Sequence, residues 1–241
     1  MDKRQELYKG KAKTVYATAD PGYLVMHYRD DVSAFDGVKL AKLDLKGETN
    51  NKINAYVMVK LAAAGVPTHF VRMLNERESL VRAMKMLPVE CVVRNVCAGS
   101  MAKRYGIPEG TKLAESIFEF FLKSDALHDP LVNDDHIRIL GWASAEEIAE
   151  MRTLTHKVNR VLKPLFADAG IDLADYKLEF GHPTDDLSGP LVLGDEFTPD
   201  GCRLWDAKTG EKLDKDRFRR DLGGVEDAYQ EAARRICSAA A

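Results

Sequence analysis

The chain has 241 residues and a mass of 26.9 kDa, with 45% hydrophobic and 30% charged residues. This composition is typical of a globular protein with a hydrophobic core and excludes a wholly disordered chain. The formal net charge of −3 gives no electrostatic reason to expect a nucleic-acid partner, although a local basic cleft could bind a small phosphorylated metabolite.

The cysteine and histidine patterns argue against a zinc site. Four cysteines, at positions 91, 97, 202 and 237, form no Cys-x-x-Cys pair, and the six histidines form no His-Glu-x-x-His motif. No apolar run approaches the length of a membrane span, and the first residues do not resemble a signal peptide. We therefore expect a cytoplasmic protein with reduced thiols and no membrane partner.

The N-terminal segment predicts an antiparallel meander. Residues 6–16 contain two strands joined by a tight turn at Gly10. The turn Asp20-Pro21-Gly22 leads to a third strand, Tyr23 to Tyr28.

Three lysines surround the first turn. Lys9, Lys11 and Lys13 alternate, so an extended chain places their ammonium groups on one side, where they could bind a polyphosphate. Gly10 would let the backbone approach a ligand closely. Neither a Walker motif nor a Gly-x-Gly-x-x-Gly fingerprint is present. A lysine-rich edge strand that resists aggregation explains the pattern equally well.

The next segment alternates turns and regular elements. Residues 30–37 are rich in Asp and Gly, which turn chemistry alone explains. The spacing predicts a helix over 50–64, stopped by glycine, and then a strand over 68–74. Residues 76–86 are compatible with either helix or strand.

The stretch 88–100 predicts a buried strand that runs into a short helix at 101–105. Arg94 interrupts this apolar strand and requires a partner, because an unpaired buried guanidinium is costly. Arg94 with Ser100 and the following helix amides could bind a phosphate monoester. An ion pair between Arg94 and Glu90 is the alternative.

Three further elements complete the predicted scaffold. Residues 117–123 form an aromatic strand, and Ser144-Ala-Glu-Glu147 is a capping box that begins a long helix ending near Gly170. The periodicity of residues 225–236 predicts an amphipathic helix.

Charged residues concentrate on the stretch 175–206, which predicts a hairpin around a polar loop at 182–190. Side chains two residues apart share a strand face, so Asp175, Lys177 and Glu179 should point together. Carboxylates beside a cation suit a magnesium-phosphate site. A solvated charged face on an edge hairpin is the alternative.

Several separate segments, in the same order along the chain, resemble one family, the phosphoribosylaminoimidazole-succinocarboxamide synthases or SAICAR synthetases. Collinearity over nearly the whole chain is more specific than any single motif. The matching segments are Leu7–Tyr16, Ser33–Gly37, Val89–Asn95 with Gly99-Ser100, His128–Pro130, Lys177–Gly181, Gly194–Gly201, Arg203–Trp205 and Lys215–Arg219.

The resemblance implies a carbon-nitrogen ligase of de novo purine biosynthesis. Such an enzyme uses ATP and Mg²⁺ to join carboxyaminoimidazole ribonucleotide (CAIR) to L-aspartate, giving SAICAR, ADP and phosphate through an acyl phosphate. Positioning and charge neutralisation can catalyse phosphoryl transfer without a protein nucleophile. A small-molecule kinase of similar fold is the alternative function.

The resemblance also implies roles for individual residues. The ATP phosphates would contact Lys11 and Lys13, and the adenine would contact Val15, Leu24 and Met86. The metal ligands would be Glu179 and Asp195, and the CAIR site would contain Arg94, Ser100, Arg203 and Asp175. Lys177 and Asp175 would reach the CAIR ring, carboxylate or ribose. Asp36, Lys215 and Arg219 would belong to the aspartate part of the site.

The fold implied by the resemblance is α+β. An N-terminal antiparallel sheet similar to a kinase small lobe, residues 1–87, would bind nucleotide. A larger C-terminal domain of sheet and helices, residues 88–241, would bind substrate and metal. The resemblance further implies a homodimer.

Overall fold

The structure is a computed structural model that describes residues 2–35 and 37–238. The strands in these ranges are β1 (Glu6–Lys9), β2 (Lys13–Ala17), β3 (Tyr23–Tyr28), β4 (Asp31–Ala34), β5 (Lys39–Lys42), β6 (Phe70–Asn75), β7 (Glu78–Arg82), β8 (Met84–Val96), β9 (Lys112–Leu122), β10 (Leu131–Val132), β11 (Ile171–Pro183), β12 (Val192–Leu193) and β13 (Cys202–Asp206). The helices are α1 (Lys46–Ala63), α2 (Gly99–Tyr105), α3 (Asp134–Ile139), α4 (Ala145–Asp168), α5 (Asp216–Arg219) and α6 (Val225–Ser238).

The predicted N-terminal meander is present as part of a five-stranded antiparallel sheet with the order β1-β2-β3-β7-β6. The Gly10 N–H donates to the Lys13 carbonyl at 2.9 Å and closes the first turn. The Tyr23 N–H donates to the Asp20 carbonyl at 3.1 Å and closes the second. The ambiguous stretch 76–86 is strand, because β7 completes this sheet and β8 begins at Met84.

A six-stranded sheet forms the second half of the fold, with β10, β9, β8, β11 and β12 in order and β13 also paired with β11. Phe180 lies opposite Leu193, so the strands around the 182–190 loop do pair. The alternative of a solvated edge hairpin is wrong, however. β11 has β8 along one side and β12 and β13 along the other, and most of its residues are buried.

Helix α4 covers the six-stranded sheet and supplies much of the core. The predicted capping box is formed: Ser144 Oγ accepts the Glu147 N–H at 3.1 Å, and the Glu147 carboxylate accepts the Ser144 N–H at 2.6 Å. Leu162 and Phe166 on this helix are fully buried. They belong to the same core cluster as Phe180 of β11, and burial of each such side chain contributes about 1.5–3 kcal/mol.

Helix α1 begins at Lys46, four residues before the predicted start of the 50–64 helix. The first turn was missed because its buried residues, Lys46, Gly47 and Thr49, are not apolar. The polar face continues into the predicted part of the helix. Asn51 is buried and donates to the backbone carbonyl of Asn75 at 3.0 Å, and Asn54 accepts a backbone N–H at 2.9 Å. Buried amides with partners are stable in a core, but they remove the apolar periodicity from the sequence.

Two remaining features bear on the predicted organisation. β4 and β5 form a separate two-stranded sheet, and the turn that joins them contains Asp36, which lies outside the described residues. The predicted domain boundary between residues 87 and 88 falls within the continuous strand β8. Within residues 2–35 and 37–238, the helices are too short or too polar to cross a membrane.

Candidate active site

A cleft of about 970 Å³ is lined by residues from both large sheets. This volume is within the usual range for small-molecule sites. Arg94 is buried and Ser100 is exposed, and neither lines the cleft, while Asp36 is outside the described part of the chain. The predicted site residues that line the cleft are Lys11, Lys13, Val15, Leu24, Met86, Asp175, Lys177, Glu179, Asp195, Arg203, Lys215 and Arg219.

One wall of the cleft is apolar. In the N-terminal sheet, Val15 of β2 lies opposite Met26 of β3, and Leu24 lies opposite Val81 of β7. These four residues pack together, and Met86 of β8 lines the same cleft. An apolar wall of this kind suits a flat heteroaromatic ring.

A half-buried ion pair joins the two sheets across the cleft. Lys13 of β2 pairs with Asp195 and lies 3.8 Å from Glu196. Burial alone would lower the pKa of the Lys13 ammonium, but attraction to Asp195 and Glu196 outweighs it and raises that pKa. Burial alone would raise the pKa of the Asp195 carboxyl, but Lys13 and Lys177 lower it below its ordinary value. Both groups are therefore charged at neutral pH.

Lys177 connects the carboxylates of neighbouring strands. Glu179 of β11 lies opposite Glu90 of β8, and the Lys177 ammonium donates to them at 2.6 and 2.8 Å. Lys123 pairs with the other oxygen of Glu179. Burial and the neighbouring Glu179 raise the pKa of Glu90, while Lys177 opposes this rise. Together with Lys13 and Asp195, these residues form a lysine-carboxylate cluster. Its alternating charges could bind a polyphosphate and a carboxylate.

The donor set of the cleft fits Mg²⁺ in its usual protein environment, one or two carboxylates plus substrate phosphates. Glu179 and Asp195 supply two carboxylates. Within the described ranges the buried Glu196 Oε2 has no hydrogen-bond partner, so a further hard oxygen lies beside them. The same ranges contain no group of three or more His, Cys, Asp or Glu arranged to hold a metal ion unaided. A cation here would therefore need ligands from the substrate.

Two arginines meet at one carboxylate. Arg94 Nη1 donates to Asp175 Oδ2 at 2.6 Å, and Arg203 Nη1 donates to the same oxygen at 2.8 Å. Arg94 Nη2 donates to Ser100 Oγ at 3.1 Å. The alternative pair of Arg94 with Glu90 is wrong, because the strand register places Arg94 opposite Asp175. Arg94 is 5% exposed, so Arg203 forms more of the cleft surface than Arg94 does.

Lys215 and Arg219 line the cleft together with Asp200, which the sequence did not reveal as a site residue. Burial and the nearby Arg219 lower the pKa of the Lys215 ammonium, although Asp200 opposes this. Burial alone would raise the pKa of Asp200, but the fully buried Lys46, 2.5 Å away, and Lys215 lower it to about 2. Arg219 also pairs with Asp216. The three cations Lys46, Lys215 and Arg219 outnumber Asp200 and Asp216 and favour an anionic ligand.

Glu119 was also missed. It is buried in β9 and accepts a hydrogen bond from Arg94 Nε at 2.9 Å. A signal was available, because Glu119 interrupts the aromatic run 117–123 as Arg94 interrupts its own apolar strand. Two buried charges of opposite sign on neighbouring strands predict a pair. For Lys46 no comparable signal exists.

Comparisons with known proteins match the chain to one family. The family model for SAICAR synthetase matches residues 6–236. The chain is 61% identical over 236 residues to the phosphoribosylaminoimidazole-succinocarboxamide synthase of Idiomarina loihiensis, covering 98% of each chain.

Solved structures agree. The crystal structure of the Ehrlichia chaffeensis phosphoribosylaminoimidazole-succinocarboxamide synthase superposes with a TM-score of 0.95 at 42% identity, covering 97% of this chain and 98% of that one. A SAICAR synthetase (type 2) in complex with ADP gives a TM-score of 0.92 at 43% identity, with the same coverage. The α+β fold and the ligase class expected from the sequence are thereby confirmed. From its first strand to its last helix, the chain belongs to the SAICAR synthetase family.

Proposed function

We propose that the cleft catalyses the ATP-dependent condensation of CAIR with L-aspartate to give SAICAR, ADP and phosphate. The observation that carries this proposal is the arrangement within one cleft of an apolar wall, a lysine-carboxylate cluster and a second set of cations. These match the needs of a nucleotide, a phosphoryl transfer and two further anionic substrates. The relative solved with ADP supports nucleotide use by this fold.

The reaction has two steps. An oxygen of the CAIR carboxylate attacks the γ-phosphorus of ATP, which forms an acyl phosphate and releases ADP. The aspartate amine then attacks the acyl carbon, the amine loses a proton and phosphate leaves. Neither step requires a protein nucleophile, so the chain contributes position and charge.

Each part of the cleft has a proposed role in these steps. Val15, Leu24 and Met86 would contact the adenine, and Lys11 and Lys13 the phosphates. Lys13 is already held at the centre of the cleft by Asp195. Its position suits stabilisation of the charge that moves onto ADP.

The CAIR phosphate would bind at Arg203, with Arg94 and the exposed Ser100 as further contacts and Asp175 holding the two arginines. Lys177 is two residues from Asp175 on β11, and its ammonium contacts Glu179 and lies 3.9 Å from Asp195. We propose that Lys177 orients the CAIR carboxylate toward the γ-phosphate.

The aspartate carboxylates would bind at Lys215 and Arg219, and the resemblance to the family adds Asp36 as a further candidate. Burial lowers the pKa of Lys215, and an incoming carboxylate would oppose this by stabilising the ammonium.

Glu179 and Asp195 would hold Mg²⁺ against the ATP phosphates. The bound cation would neutralise phosphate charge during transfer. The cytoplasmic location and the homodimer remain predictions, and analytical ultracentrifugation of the purified protein tests the dimer.

The test is omission of single substrates. SAICAR absorbance and phosphate release are measured with ATP, Mg²⁺ and CAIR, with and without L-aspartate. We expect SAICAR only in the complete mixture, and succinate, which lacks the amine, should not replace aspartate. ADP formation at an undiminished rate without aspartate would favour the kinase alternative, which the family match does not favour.

A further inference from the structure

Asp216 occupies a position between two arginines of the cleft. It is the first residue of α5 and is 1% exposed. Its Oδ2 accepts from Arg203 Nε at 2.9 Å, and its Oδ1 accepts from Arg219 Nη1 at 2.6 Å. One buried carboxylate thus contacts, with different oxygens, an arginine assigned to CAIR and an arginine assigned to aspartate.

The backbone around this carboxylate is fixed. The neighbouring buried Asp214 accepts the Leu204 N–H at 2.8 Å and the Asp216 N–H at 2.6 Å. Leu204 follows Arg203 on β13, so Asp214 ties the strand that carries one arginine to the helix that carries the other. The backbone of Asp216 is therefore fixed, and only its side chain can change conformation.

Arg203 has little freedom of its own. Its Nε is held by Asp216 and its Nη1 by Asp175, and a side-chain carbon at Gly99 would overlap the guanidinium. The plane of the guanidinium is consequently set by two carboxylates and one glycine backbone. Loss of either carboxylate changes the direction in which the remaining N–H groups point.

We propose that Asp216 is a positioning residue that couples the CAIR and aspartate sites; this inference rests on the proposed function of the cleft. An anion bound at Arg219 changes the electrostatic potential at Asp216. Asp216 transmits this change to Arg203 through the hydrogen bond between them. Such coupling is reciprocal, so CAIR also changes the affinity for aspartate.

The experiment compares the KM values for CAIR, aspartate and ATP in the wild type and in Asp216→Asn. Asn retains one acceptor oxygen but presents an N–H to one arginine. We expect the KM values for both CAIR and aspartate to rise by about 10-fold to 100-fold, as for loss of charged hydrogen bonds. The KM for ATP should change less than about threefold, which a general loss of structure would not allow.

Two matched variants serve as controls. Glu119→Gln removes the negative charge of the residue that accepts from Arg94 Nε. Because Arg94 does not contact Arg219, this variant should raise the KM for CAIR alone. Arg217→Gln removes a cation from the same short helix as Arg219. Arg217 bonds to Glu211 and to backbone carbonyls, so all three KM values should stay unchanged.

Three outcomes overturn the inference in an active wild type: only one substrate's KM rises in Asp216→Asn, neither rises, or the KM for ATP rises equally. If Asp216→Asn does not fold, Arg219→Lys replaces it. This variant should raise the KM for aspartate directly and that for CAIR through Asp216, and an unchanged KM for CAIR overturns the coupling. A wild type that forms no SAICAR contradicts the proposed function instead.

Discussion

Arg94 and Arg203 donate hydrogen bonds to the same oxygen of Asp175, from strands on either side of it, at 2.6 and 2.8 Å. The shared carboxylate holds two guanidiniums close together that would otherwise repel each other. Each arginine also has its own carboxylate at Nε, Glu119 or Asp216. A phosphate therefore meets donors that are already oriented, which reduces the entropy lost on binding.

Replacement of Arg94 should weaken CAIR binding selectively. Arg94→Ala is expected to raise the KM for CAIR at least about 10-fold, because the phosphate site loses one oriented guanidinium. It should also destabilise the fold by about 3–5 kcal/mol, since Asp175 and Glu119 lose a buried partner. Steady-state kinetics and urea unfolding measure the two effects.

Arg94→Lys separates these effects. A lysine retains the positive charge but not the fork, so the KM for CAIR should still rise while most of the stability returns. An equal rise in the KM for ATP in either variant would assign Arg94 a structural role only.

Asp195→Asn should abolish most turnover. The change removes one of the two proposed metal carboxylates and the partner of Lys13, and we expect kcat to fall at least about 100-fold. Thermal stability should change modestly, because the pair lies at the cleft surface. Kinetics at several Mg²⁺ concentrations provide the measurement, and ordinary turnover at ordinary Mg²⁺ would remove Asp195 from the metal site.

The glycines at the two ends of α2 provide a matched pair. Gly99 and Gly106 both have positive φ, 54° and 65°, so alanine strains the backbone at either position. Only at Gly99 would the new Cβ overlap the Arg203 guanidinium, whereas Gly106 faces open space. We therefore expect both variants to lose about 1–2 kcal/mol of stability but only Gly99→Ala to raise the KM for CAIR. Equal KM values in the two variants would contradict this.

Asp214 should make the stability depend on pH. Burial and the neighbouring Asp216 raise the pKa of this carboxyl from 3.8 to about 7, against the opposing effect of two backbone N–H donors. Between these values the native state binds more protons than the unfolded state, so the free energy of unfolding falls as pH rises, by up to about 1.4 kcal/mol per pH unit.

The measurement for Asp214 is urea unfolding from pH 5 to 7.5 in the wild type and in Asp214→Asn. This range avoids Asp200 and Asp216, whose native pKa values are about 2. The variant has no proton to lose at this position, so its stability should decline less steeply with pH. Identical slopes would show that Asp214 is ionised throughout.

The local sequence pattern was sufficient to predict many of the strands, turns and helix ends. The meander around Gly10, the capping box at Ser144 and the strand face shared by Lys177 and Glu179 all follow from rules that relate neighbouring residues. The first turn of α1 was not predicted because its buried Lys46 and Thr49 carry no apolar side chain, and Lys46 has its partner, Asp200, far away in the chain.

The sequence by itself determined the family, the α+β class and twelve of the residues that line the cleft, because alternation and collinear motifs are properties of order along the chain. Only the tertiary structure decided which charges meet. Asp175 and Arg94 are 81 residues apart, and the register of β8 against β11 brings them together instead of Arg94 and Glu90. An ion pair depends on distance in space, and strand register sets that distance across a sheet.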